Sequence, residues 1–249
     1  MEMKVQGEWI RNTYRVLKSF PFVIGILYFT EVSSRTRGLQ TRFIHALDVR
    51  AVSDKIQKEQ ILSRDDAVFF PVREVFIEND ILYQVFHRLE GKLLAHYLHQ
   101  NTPLSISEMC WIVRGITSHL LRLYEEHQFT LVHPQNIVLA PGKAIRFLYG
   151  GPLGALPKGV GKGMGDFLDD RETDYLYDSY TLGVMIYHML TGRNPMASGL
   201  FIPPVSTYCP NCPPELDELV TRAISFDIKK RPKIKEIARF LDRLAERVC

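Results

Sequence analysis

From Met1 to His87 the apolar and polar positions follow strand-like patterns, and beyond it they recur mostly at helical spacing. Tyr14-Arg-Val-Leu begins a strand, Phe22 to Phe29 is a β-branched and aromatic run, and Thr41 to Val49 is a third strand candidate. Ser53 to Leu62 reads as a helix capped by Ser53 or Asp54. Phe69 to Ile77 and Ile81 to Phe86 flank Asn79-Asp80, a two-residue hairpin turn. A short helix follows over Lys92 to His99, then a long one over Ser105 to Tyr124. Ser105-x-x-Glu108 is a capping box, and Met109, Ile112, Val113, Ile116, Leu120, Leu123 and Tyr124 share one face. Ile137 to Leu139 and Ala144 to Leu148 form two short strands around the turn signal Pro141-Gly142. Tyr175 to Leu190 is apolar nearly all round, as a buried helix is, and Gly192 suits its C-terminal cap. The last helix, Ile234 to Val248, gathers Ile234, Ile237, Ala238, Leu241, Leu244, Ala245 and Val248 on one face.

Phe129 to Gly151 carries a resemblance. It is similar to the catalytic loop and following hairpin of eukaryotic-type serine/threonine protein kinases, where the loop reads H-R-D-x-K-P-x-N and the second strand runs into D-F-G. Anchored on Pro134 and Asn136, the family's His, Arg and Asp fall on Phe129, Thr130 and Leu131. His133 takes the place of the lysine, and Tyr149 that of the second aspartate. A second register, with His133 as the family histidine and a short deletion after it, stays open. Neither recovers an aspartate, because none occurs between Asp80 and Asp166. Asp178-x-Tyr-x-Leu-Gly183 followed by Met-Leu-Thr-Gly resembles the family's central large-lobe helix. The resemblance makes Asp178 a structural acid that holds the loop backbone. Asp227-x-x-x-x-Arg231-Pro232 resembles the late arginine motif. Its usual partner, the glutamate of A-P-E, is missing, which leaves Asp169, Asp170 or Glu172 as substitutes.

The resemblance implies an α+β, bilobal protein-kinase-like fold, with a β-rich small lobe over residues 1–87 and an α-helical large lobe over 88–249. In the small lobe only Gly25 remains of the phosphate-binding glycines. Pro21, Phe22, Val23 and Ile24 fill that turn, where a phosphate cradle needs bare backbone N–H groups. The third strand, RFIHALDV, has no lysine, and Glu59 is the candidate for the helix glutamate of the ion pair, without an obvious partner.

Composition narrows the picture. The net charge of +3 is mild, which speaks against a nucleic-acid surface. The run from Phe20 to Thr30 is too short to span a bilayer, and the N-terminus has no signal-peptide pattern. Four cysteines fit a reducing cytoplasm better than a disulfide framework. Cys209-Pro-Asn-Cys212 is a lone C-x-x-C, a redox pair or half a zinc site under one reading and a loop-to-helix step under the other. Gly150 to Gly165 holds seven glycines but lacks the Ser or Thr of a P-loop after Lys162.

Kinase chemistry is mostly positioning and electrostatics, and its proton acceptor, metal ligands and phosphate lysine are missing together. The expectation is a catalytically inactive kinase-like domain, a pseudokinase that binds or scaffolds another protein, with no cofactor and no metal. The alternative is a noncanonical phosphotransferase or nucleotidyltransferase using ATP and Mg²⁺. In it His133 is a base or a phosphate contact, Lys18, Lys143, Lys158 or Lys162 supplies charge, and Asp166, Asp169 or Asp170 reaches the metal. Asn136 and Gly25 are the remaining cofactor-binding candidates.

Overall fold

A computed structural model describes residues 1–34, 38–50, 58–87, 89–153, 156, 171–198 and 201–248. The chain forms two compact units. One joins Met1–Gly91, His127–Thr130 and Val138–Gly159, and the other joins Lys92–Glu126, Leu131–Ile137 and Val160–Cys249.

The first unit is built on β1 (Trp9–Ile10), β2 (Tyr14–Pro21), β3 (Ile26–Ser34), β4 (Gly38–Asp48), α1 (Lys58–Leu62), β5 (Val72–Glu78) and β6 (Ile81–Phe86). The strands make one antiparallel sheet in the order β1-β2-β3-β4-β6-β5. The alternation in the sequence sets its buried face: Ile10, Val16, Tyr28, Ile44, Ala46, Phe76, Tyr83 and Val85 form one apolar cluster. Asn79 and Asp80 close the β5–β6 hairpin with φ of 51° and 59°, the left-handed pair that a tight hairpin needs. The first half of the expected helix lies outside the described residues, and α1 covers its second half.

The middle of the chain contributes β7 (Lys92–Leu93), α2 (Leu94–Asn101), α3 (Ile106–Glu125), β8 (Gln128–Thr130), β9 (Ile137–Ala140), β10 (Ala144–Phe147) and β11 (Gly150–Pro152). Strands β9 and β10 pair across the 141–143 turn, and β11 runs antiparallel to β8 with Gly150 opposite Thr130. The helix expected from Lys92 starts two residues later, because Lys92 and Leu93 are extended.

The second unit is helical. Besides α2 and α3 it holds α4 (Arg171–Thr191), α5 (Pro214–Ala223) and α6 (Ile234–Val248). The Ser105 hydroxyl caps α3 by accepting from the Glu108 N–H at 3.2 Å. The Glu108 carboxylate accepts from the Tyr97 hydroxyl. From Ser179 onward α4 is buried on most sides, as its apolar pattern implies, with Leu182 and Met189 fully enclosed. Gly183 lets α5 approach: a Cβ there would lie 2.6 Å from the Ala223 Cβ. Gly192 ends α4 at φ 67° and donates its N–H to the His188 carbonyl. Among the described residues no helix is long and apolar enough to cross a membrane.

Candidate functional site

The turn between β2 and β3 occupies the place of the phosphate-binding loop. It is short and pinned: Pro21 pairs with Ile26, and the Phe22 N–H donates to the Gly25 carbonyl at 3.2 Å. Gly25 has φ 82°, and a Cβ there would lie 2.2 Å from the Ala46 carbonyl oxygen. Its lack of a side chain therefore serves contact with β4.

His45, on β4, is 1% exposed and anchors this turn. Its Nε2–H donates to the Ile24 carbonyl at 2.6 Å, and its Nδ1 accepts from the Gln84 amide on β6 at 3.0 Å. Burial pushes the imidazole down to about 4, so the ring is neutral at pH 7. Phe22 packs on one side of it with ring centroids 5.0 Å apart. Tyr149 meets it edge-on at 5.2 Å and also contacts Phe129.

Tyr149 is fully buried in the stretch that the resemblance aligns with D-F-G. Burial drives its phenol far above the ordinary tyrosine value, so it stays neutral, and nearby Arg64 opposes this only in part. Its carbonyl accepts from the Thr130 hydroxyl at 2.8 Å. Phe22, His45 and Tyr149 thus form a cluster of neutral rings. None is a carboxylate, and a hard divalent cation wants anionic oxygens.

Arg64, which the sequence reading missed, lies directly after α1. It is 7% exposed, donates to the Gly150 carbonyl at 2.7 Å and lies over the Phe69 ring at 4.9 Å. Burial lowers its guanidinium to about 10, still charged at pH 7. It ties the end of α1 to the strand end next to Tyr149. Glu59, on the first turn of α1, is exposed.

The catalytic-loop candidates lie in the second unit. Asn136 is fully buried and its amide donates to the Leu131 carbonyl at 2.9 Å, while its N–H donates to the His133 carbonyl. His133 caps the 134–136 turn, its Nδ1 accepting from the Gln135 N–H at 3.2 Å. Burial lowers its pKa. Leu131 offers the loop a carbonyl and no acidic side chain.

Asp178 is half-buried and accepts from the Tyr124 hydroxyl at 2.6 Å, joining α4 to α3. The fully buried Ser179 beside it donates to the Pro232 carbonyl at 2.6 Å. Arg231 donates to the Ser225 and Leu176 carbonyls and lies over Tyr180 at 4.6 Å. Of its expected acidic partners, Asp169 and Asp170 lie outside the described residues, as do Lys158, Lys162 and Asp166, and the Glu172 side chain is not described. Of the other relocated cations, Lys18 sits over Phe20 and Lys143 in the exposed 141–143 turn. Cys212 is buried, with its thiol pushed up to about 12, and its N–H donates to the Cys209 carbonyl. Among the described residues no group of three or more His, Cys, Asp or Glu side chains could hold a metal ion.

No family model matches the chain. It is 24% identical over 230 residues to the "Probable serine/threonine-protein kinase zyg-1" of Caenorhabditis briggsae, a match that covers 86% of this chain and 31% of that protein. The chain therefore spans about a third of that relative's length. The kinase domain of PknI from Mycobacterium tuberculosis has a similar fold, with a TM-score of 0.63 at 18% identity, over 96% of this chain and 99% of the other. A fold shared with a solved kinase domain, together with sequence likeness to a serine/threonine kinase over most of the chain, makes this an α+β, bilobal domain of protein-kinase-like type.

Proposed function

We propose that this chain is a pseudokinase: a kinase-like domain that binds or scaffolds another protein, needs no ATP or metal, and works in a reducing cytoplasm. The cluster of Phe22, His45 and Tyr149 carries this reading. A kinase holds phosphates and Mg²⁺ with a lysine, an aspartate and an open glycine loop. Here the β2–β3 turn, β4 and the segment just after β10 bring together neutral rings that pack on one another, and His45 hydrogen-bonds the turn's own backbone. Asn136, the remaining loop residue of the metal site, spends its amide on the Leu131 carbonyl.

Thermal melting with millimolar ATP and Mg²⁺ or Mn²⁺ tests this. A ligand at about a hundred times its dissociation constant adds about 2.7 kcal/mol of stability, a visible shift. The expected result is no shift and no transfer of labelled γ-phosphate. A metal-dependent shift that Asn136→Ala abolishes would instead establish the phosphotransferase alternative.

A further inference from the structure

Seven of the chain's 31 Lys and Arg side chains gather around one hollow. Arg222 on α5, Lys229, Arg231 and Lys233 on the following loop, and Lys235, Arg239 and Arg243 on α6 line a hollow of about 860 Å³ with two carboxylates, Glu236 and Asp242. Seven cations against two acids leave an excess of five positive charges, where the whole chain carries +3. Both acids are already paired: Glu236 with Arg222 at 2.8 Å, and Asp242 with Arg114 of α3 at 2.8 Å.

Helical geometry organises what remains. Ile234, Ile237, Leu241 and Leu244 bury one side of α6. Lys235, Arg239 and Arg243 recur every fourth residue on an exposed side, a row about 12 Å long. Among the described residues none of the three forms an ion pair. Arg231 is turned to backbone carbonyls and serves the loop. Where the loop begins, Phe226 is 68% exposed and Ile228 37%, three residues and one residue before Lys229. Asp227 between them caps the 228–230 turn through the Lys229 N–H.

We propose that this hollow is a docking site for an acidic protein segment carrying an apolar residue, with Lys235, Arg239 and Arg243 meeting its carboxylates and Phe226 its apolar side chain. Charge complementarity selects the occupant. The exposed Phe226 and Ile228 beside the row suit an apolar side chain, which a protein segment carries and a nucleic-acid backbone does not. A membrane presents a plane, and this surface is concave. The proposal stands independently of whether the chain binds nucleotide.

Fluorescence anisotropy with a labelled Asp/Glu-rich peptide of about twelve residues bearing one Phe, long enough to follow the row, tests it on the full chain. Binding is expected to weaken with salt, to fall about tenfold or more in the triple variant Lys235→Glu, Arg239→Glu, Arg243→Glu, and to fall several-fold in Phe226→Ser. The three charge positions are exposed, so both variants should keep the wild-type circular dichroism spectrum. If they do not, Lys235→Gln, Arg239→Gln, Arg243→Gln must show the same loss. Equal affinity for an Asn/Gln version of the peptide, unchanged binding by the folded triple variant, or tighter binding to an oligothymidylate or to phosphatidylserine vesicles would overturn the assignment.

Discussion

His45 contributes more to stability at pH 7 than at pH 5. In the unfolded chain a histidine titrates near about 6.5, whereas burial holds His45 down to about 4. Between those values the unfolded chain binds more protons, so stability is complete above the higher value and falls as the pH drops toward the lower one. The full loss is about 3 kcal/mol. Urea midpoints measured from pH 7 to 4.5 should therefore fall more steeply for the native chain than for His45→Gln. Parallel slopes would mean that the ring is neither buried nor neutral. Gly25→Ala should lose about 2–4 kcal/mol, because it combines a left-handed backbone with a clash against the Ala46 carbonyl. Gly7→Ala is the control: its φ is 93° with open space around it, so it should lose only about 1–2 kcal/mol in the same melts. The sequence made Gly25 conspicuous but not its neighbour, since Ala46 comes from another strand. Arg64 gave no signal, because its acceptors, the Leu148 and Gly150 carbonyls, lie 84 and 86 residues away.

Elements were legible where one local rule decides them. Helix α3 shows its cap, its acidic first turn and its buried face in the sequence, and all three are present. Ser105→Ala should cost about 1 kcal/mol and lower the melting temperature by about 2–4 °C. A null effect would mean that the helix end is held by its surroundings. The Asn79-Asp80 hairpin and the Gly192 cap were equally plain, since each rests on backbone conformation alone. The start of α2 was not. Lys92 fits a helical pattern, yet it is extended, because pairing within a sheet is a partnership that periodicity does not encode. The glutamate of the capping box shows the same limit: its spacing was right, but a tyrosine on another helix claims the carboxylate.

At the scale of the whole molecule, the fold followed from the order of elements and a few kinase-like motifs, and the solved kinase domain shares it. The gathering of charge was legible in part, since six of its seven cations fall within residues 229–243, but its extent was masked. A net +3 reads as mild because the rest of the chain is slightly acidic, and the hollow draws on one loop and two helices. Melting the chain with and without nucleotide probes the Phe22–His45–Tyr149 cluster and Asn136, while the acidic-peptide titration probes Lys235, Arg239 and Arg243, so each can fail alone. The enclosed ring of His45 also bears on any attempt to place a phosphate-binding cation at that strand. A lysine engineered at position 45 would enter a dry space already closed by Phe22 and Tyr149, where an ammonium group sheds its proton rather than hold an anion. Opening a phosphate cradle in this chain would require re-cutting the β2–β3 turn before a charged side chain is placed beneath it.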